Sequence, residues 1–78
     1  MRITIKLYSM LRSYHRDGEN GVATLEFPEG AKIADVLKEL GVPDTMPKIM
    51  LINGDQQEAT EALSDGDELS VFPPMAGG

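Results

Sequence analysis

The sequence predicts an α+β fold, a small mixed sheet with one main helix packed across it, and three observations carry that expectation. Residues 1–8 and 22–27 alternate apolar and polar side chains with a period of two, the pattern of half-buried strands. Ile33, Val36, Leu37 and Leu40 recur at i, i+3, i+4 and i+7, the spacing of one apolar helix face. Four consecutive apolar residues, Ile49 to Ile52, fit a central strand that is apolar on both faces.

Taken in order, the first strand sets Ile3, Ile5 and Leu7 on one face and Arg2, Thr4 and Lys6 on the other. Ser9 is then expected to cap a short helical turn in which Met10, Leu11 and Tyr14 share a face. Arg16-Asp17-Gly18-Glu19-Asn20-Gly21 is polar with two glycines and reads as a loop. The second strand carries Ala23, Leu25 and Phe27 opposite Val22, Thr24 and Glu26, and an antiparallel hairpin with the first is the natural pairing.

Pro28-Glu29-Gly30 breaks that strand, and the amphipathic helix follows, ended by Gly41 with Pro43 close behind. No Ser, Thr, Asp or Asn precedes its first apolar position. Gly30 or Ala31 is therefore expected to open it, helped by Asp35 at the positive end of the dipole. Pro43 to Pro47 is a linker before the Ile49–Ile52 strand. Asn53-Gly54 is a turn signal, Gln56 to Glu58 a short returning edge strand, and Thr60 to Leu63 a single helical turn. Ser64-Asp65-Gly66-Asp67 is another turn, and Glu68 to Phe72 the last strand, with Leu69 and Val71 facing one way. Residues 1–72 thus make one domain, and residues 73–78 an extended, mobile C-terminal tail.

Composition excludes several kinds of chemistry. The 78 residues contain no cysteine, so disulfides, thiolate metal sites and a side-chain thiol nucleophile are ruled out. The one histidine, His15, would need a partner chain to build a zinc site or a triad. Thirteen acidic residues against seven basic give a net charge of −6, which argues against nucleic acid as the main partner. The apolar runs fall far short of the roughly 20 residues that span a bilayer. No charged-then-apolar presequence opens the chain. A soluble, cytoplasmic protein with no membrane partner is expected.

Among internal candidates, Asp65, Asp67 and Glu68 lack the twelve-residue ligand pattern of a calcium loop and read as a solvated turn. His15 beside Arg12 and Arg16 reads as an exposed histidine next to a loop, and Gly18, Gly21 and Gly30 form no phosphate-cradling motif. No metal site and no catalytic constellation emerge.

The apolar residues left over by strand parity say more. If Leu69 and Val71 face the helix, Phe72 faces away from it. By the same register Ile49 and Leu51 form the outer pair of their strand, and Met50 with Ile52 the core pair. An apolar patch of Ile49, Leu51 and Phe72 then lies beside the root of the tail, as a protein-binding surface would.

The tail itself is Pro73-Pro74-Met75-Ala76-Gly77-Gly78. The Pro-Pro pair favours an extended, solvated segment, and two terminal glycines arise by chance only about once in two hundred chains. A glycine carboxylate fits a slot too narrow for any side chain. It is inert at neutral pH until activated, most simply as an acyl-adenylate made from ATP, from which sulfur, an amine or a thiol displaces AMP.

With these residues in view, the chain resembles the ubiquitin-like sulfur carriers of β-grasp fold. The β-β-α-β-β order, the Asn53-Gly54 and Asp65-Gly66-Asp67 turns and above all Phe72-Pro73-Pro74-Met75-Ala76-Gly77-Gly78 carry the resemblance, which covers the whole chain. It is closest to the small-subunit family of molybdopterin synthase, and the thiamine-pathway carrier shares the fold and the Gly-Gly. Lys32 departs from the pattern, since such proteins often carry a threonine at the helix start.

The resemblance implies a carrier that is not itself an enzyme, with no stably bound cofactor. A ubiquitin-activating-type adenylyltransferase would bind the patch and use ATP to adenylate Gly78. A sulfurtransferase or cysteine desulfurase would supply the sulfur that converts it to a thiocarboxylate. The tail would then enter the large subunit of molybdopterin synthase and deliver sulfur to a pterin precursor. Gly77, Ala76, Met75, Pro74, Pro73, Phe72, Leu51 and Ile49 are the residues expected to meet these partners. The alternatives are another sulfur acceptor (the thiamine thiazole, a tRNA base or an amino-acid precursor), or a protein modifier that joins Gly78 to lysines. A fourth possibility is a plain binding module whose tail is incidental.

Overall fold

The computed structural model describes residues 1–14 and 21–74. Its elements are β1 (Arg2–Leu7), a 3₁₀ helix (Ser9–Tyr14), β2 (Val22–Glu26), α1 (Ile33–Leu40), β3 (Ile49–Ile52), β4 (Asp55–Gln57) and β5 (Glu68–Phe72). The five strands form one mixed sheet in the order β2-β1-β5-β3-β4, antiparallel throughout except for the central β1–β5 pair.

Alternation sets one face of this sheet against the helix. Ile3, Ile5 and Leu7 of β1 and Leu69 and Val71 of β5 are almost wholly buried, together with Ile33, Val36 and Leu37 of α1. Leu11, Phe27, Val42, Ile52 and Leu63 close the same core from the connections and the sheet margin. The helix is short because Gly41 ends it in the left-handed region, φ 85°. The Gly41 N–H donates to the Lys38 carbonyl, and that of Val42 to Leu37, the paired bonds that satisfy a helix C-terminus.

The opening of the helix differs from expectation. Lys32, not Gly30 or Ala31, is the N-cap. A lysine side chain has no acceptor, so the local cap is one-sided: the Asp35 carboxylate accepts the Lys32 N–H at 2.9 Å. The next N–H groups are satisfied from far along the chain, Ile33 donating to the Glu61 carbonyl and Ala34 to that of Ala59. Thr60 to Leu63 is correspondingly not a helical turn. Ala59 and Thr60 form a tight turn closed by the Glu61 N–H on the Glu58 carbonyl, and the chain then runs alongside the helix start, with Lys32 and Ala62 bridged antiparallel and the Leu63 N–H bonded to Ala31. The Ala59 and Glu61 carbonyls and the Leu63 N–H serve the start of α1 instead of a helical turn of their own.

Two smaller expectations shift as well. Met10 does not share the buried face of Leu11 and Tyr14; it is 68% exposed, because three residues per turn separates positions that a wider helix would align. The short edge strand is Asp55–Gln57, one residue earlier than anticipated, since Asn53 and Gly54, at φ 51° and 91°, make a two-residue reversal after which pairing resumes at once. Of the expected loop over residues 16–21, residues 16–20 lie outside the described residues, and Gly21 stands in a turn at φ 77°. Among the described residues no helix is long and apolar enough to cross a membrane.

Candidate functional site

The site is built around the outgoing end of β5. This strand is flanked on both sides, by β1 and by β3, and its register with β3 pairs Ile49 with Phe72, Met50 with Val71, Leu51 with Ser70 and Ile52 with Leu69. Since Leu69 and Val71 are fully buried against the helix, their alternates Ser70 and Phe72 occupy the other face, and Ile49 and Leu51 lie beside them. The structure therefore brings Ile49, Leu51 and Phe72 together on the open face. All three are half-buried rather than fully exposed, while Met50 and Ile52 turn toward the core.

Tyr8 covers Phe72. Its ring stacks on Phe72 with centroids 4.2 Å apart and planes 9° from parallel. Its backbone N–H donates to the Val71 carbonyl at 3.2 Å, so the position just beyond β1 is tied to the end of β5. The result is an apolar row, Tyr8–Phe72–Ile49, across three neighbouring strands. Leu51 extends it, and Ser70, only 8% exposed, floors it. The Lys6–Glu68 ion pair, at 3.2 Å, borders the same face.

Sequence reading missed Tyr8, although the signal was present: it continues the Arg2, Thr4, Lys6 parity, and β1 runs parallel to β5 with Leu7 opposite Val71. Beyond Phe72, Pro73 is half-buried and Pro74 exposed. Met75, Ala76, Gly77 and Gly78, and with them the expected mobile tail, lie outside the described residues.

The acidic turn has a structural task. An Asp65 carboxylate oxygen accepts the Arg2 N–H at 2.7 Å. Asp67 accepts from the Ser64 N–H at 2.7 Å and from Asn53 Nδ2 at 2.9 Å, and the Asn53 side-chain oxygen takes the Glu68 N–H at 2.9 Å. These bonds lock the entry of β5 to β1 and to the β3–β4 turn, at the end of the sheet away from the tail. Among the described residues no cluster of three or more histidine, cysteine, aspartate or glutamate side chains could hold a metal ion. His15 is outside them.

Comparison with known proteins places this arrangement. The model of the ThiS family matches residues 12–78. The solution structure of small archaeal modifier protein 1 from Methanosarcina acetivorans is similar at 26% identity, covering 99% of this chain and 96% of that one, with a TM-score of 0.69. A putative molybdopterin converting factor subunit 1 from Pyrococcus furiosus is similar at 23% identity, covering 95% and 98%, TM-score 0.73. The complex of subunits 1 and 2 of molybdopterin-converting factor from Helicobacter pylori contains a chain similar at 14% identity over the full length of both, TM-score 0.66, a likeness of fold. The chain belongs to the ThiS family, ubiquitin-like sulfur carriers of β-grasp fold.

Proposed function

We propose that this ThiS-family chain is a sulfur carrier for molybdopterin biosynthesis, acting through the carboxylate of Gly78 and not through catalytic side chains of its own. The observation that carries the reading is the exit of β5: the strand runs straight from the Tyr8–Phe72–Ile49 row into Pro73-Pro74, with the Gly-Gly pair four residues further on. A partner gripping the apolar row would hold the tail at its root and leave the tip free to enter an active site.

In this reading a ubiquitin-activating-type adenylyltransferase binds Ile49, Leu51 and Phe72. A Gly78 carboxylate oxygen attacks the α-phosphorus of ATP, and pyrophosphate leaves. The terminal sulfur of a persulfide carried by a sulfurtransferase or cysteine desulfurase then displaces AMP, giving an acyl disulfide. A partner thiol attacks the enzyme sulfur and breaks the S–S bond, releasing the thiocarboxylate of Gly78 and leaving a disulfide on the partner. Pro73 and Pro74 keep the segment extended, Met75 and Ala76 seat it in the partner's channel, and Gly77 keeps it slim. The named subunits of the Pyrococcus and Helicobacter proteins support a large synthase subunit as the receiving partner. ATP is consumed by the activating partner, and the carrier works in the cytoplasm.

The test is intact mass spectrometry after incubation with ATP, an adenylyltransferase and a sulfur source. One oxygen should be replaced by one sulfur at Gly78, and deletion of Gly77-Gly78 should abolish the change. No sulfur gain with any of a set of cognate activators would refute the carrier reading. The Methanosarcina modifier protein favours one second reading, attachment of Gly78 to lysines of other proteins. Isopeptide-linked conjugates in lysate, lost on the same deletion, would support it.

A further inference from the structure

The sheet has a second feature, two strands away from the tail, that the carrier reading does not use. Strand β2 is an outer edge, and its pairing fixes where its backbone groups point. Met1 and Phe27 exchange both bonds, each N–H donating to the other's carbonyl, at 2.7 and 2.8 Å, and Leu7 donates to Gly21 at 2.8 Å. In this register the odd positions of β1 are the bonded pairs, so Ala23 and Leu25 spend their groups on β1. Val22, Thr24 and Glu26 must point theirs the other way. The free side of β2 therefore offers three N–H and three C=O groups in a row. No strand covers it among the described residues.

Natural sheets blunt such an edge with proline, lysine, a bulge or a very short strand. Edge strand β4 is three residues long and begins with an aspartate. Strand β2 is five residues, Val-Ala-Thr-Leu-Glu, with neither proline nor lysine, and Val22 is 38% exposed. Beside it, on the helix side, is an open cavity of about 340 Å³ lined by Leu25, Glu26, Phe27, Pro28 and Glu39. Its floor is apolar and its charged walls are both carboxylates. An adjoining cavity adds Glu29 and Asp35, against the single cation Lys38.

We propose that the free edge of β2 is a docking site for an extended segment of another protein that alternates apolar and basic side chains. Such a segment adds a sixth strand. A residue set opposite Leu25 drops its side chain on the helix side, into the apolar floor, because paired residues share a face. Its neighbours, opposite Thr24 and Glu26, lie on the open face, where a lysine or arginine competes with Arg2, 3.9 Å away in a long and exposed pair, for the Glu26 carboxylate. The segment is basic because the rim is acidic; a second copy of this chain, at net charge −6, is disfavoured as occupant. Because β1 separates β2 from β5, the site can be filled while Phe72 and the tail remain uncovered. The carrier could thus be held by one protein while it serves another.

The test uses the full chain, labelled with ¹⁵N, and the peptide acetyl-Thr-Lys-Leu-Lys-Val-Lys-Thr-amide. Shifts and slowed hydrogen exchange are expected at the Val22, Thr24 and Glu26 amides, whereas Ala23 and Leu25, already bonded, change little. Replacing every lysine of the peptide by glutamate should weaken binding by about tenfold or more, and Glu26→Lys should reduce that preference. Thr24→Pro removes one outward N–H and should abolish binding; if it disturbs the fold, the Glu26→Lys comparison still decides. No shifts at millimolar peptide, shifts centred on Phe72 and Leu51, or equal binding of the acidic peptide would each overturn the proposal. So would protection of the same three amides in a dimer without peptide. None of these outcomes depends on thiocarboxylate formation.

Discussion

Phe72→Asp separates the two faces of β5 and tests the site directly. In the native chain Phe72 is about two-thirds or more buried, which corresponds to roughly 1–2.5 kcal/mol of the 1.5–3 kcal/mol of a fully buried phenylalanine. The stack on Tyr8 adds about 0.5–1.5 kcal/mol. Losing both costs roughly 1.5–4 kcal/mol, against about 4–12 kcal/mol of total stability for a domain of this size. The variant should stay folded at low temperature, with a Tm lower by roughly 6–30 °C. Its neighbour provides the contrast: Val71 is fully buried, so Val71→Asp places a charge in the core and should not fold. Calorimetry and circular dichroism read the stability. Titration calorimetry against the adenylyltransferase of the proposed function reads the surface, where loss of an aromatic anchor worth about 2 kcal/mol or more should weaken binding about 30-fold. The reasoning fails if Phe72→Asp unfolds as Val71→Asp does, or if it stays folded and binds the partner with native affinity.

Two further substitutions test how the fold holds the site. At Gly21, φ is 77° and an added Cβ would lie 2.5 Å from the Leu7 carbonyl oxygen, a backbone atom that cannot move without breaking the hairpin. Gly21→Ala should therefore cost at least about 2 kcal/mol in urea unfolding, the left-handed penalty plus the clash, and an unchanged midpoint contradicts this. Asp35→Ala removes the carboxylate that accepts the Lys32 N–H and should cost about 1 kcal/mol, with α1 retained, because Ile33 and Ala34 still bond to the Glu61 and Ala59 carbonyls. Loss of helical circular dichroism would show that the helix start depends on that one side chain.

The parts legible in the sequence are those fixed by periodicity and by glycine. Ile3, Ile5 and Leu7, the Ile33–Leu40 stripe and the Asn53-Gly54 reversal all declare themselves locally. Strand parity also settled which of Ile49–Ile52 face outward, because it links neighbouring strands through the two-residue repeat. What could not be read was whatever depends on partners distant in sequence. The helix start relies on carbonyls at Ala59 and Glu61, and a segment recruited for that purpose looks, in isolation, like a helical turn. Tyr8 joins the site only through parallel pairing with a strand more than sixty positions away. The acidic turn showed its charges but not that backbone N–H groups would claim them.

The placement of β5 has a mechanical meaning. A protein that draws the tail into a channel pulls along the axis of β5, away from Glu68 and through Phe72. The bonds that hold the strand run across that axis, to β1 on one side and β3 on the other. Under such a load β5 cannot peel off one bond at a time, as an edge strand would; both ladders are sheared together. In the proposed function, the root of the tail at Pro73 is thus tethered to a strand held from both sides, and traction on it loads both ladders at once.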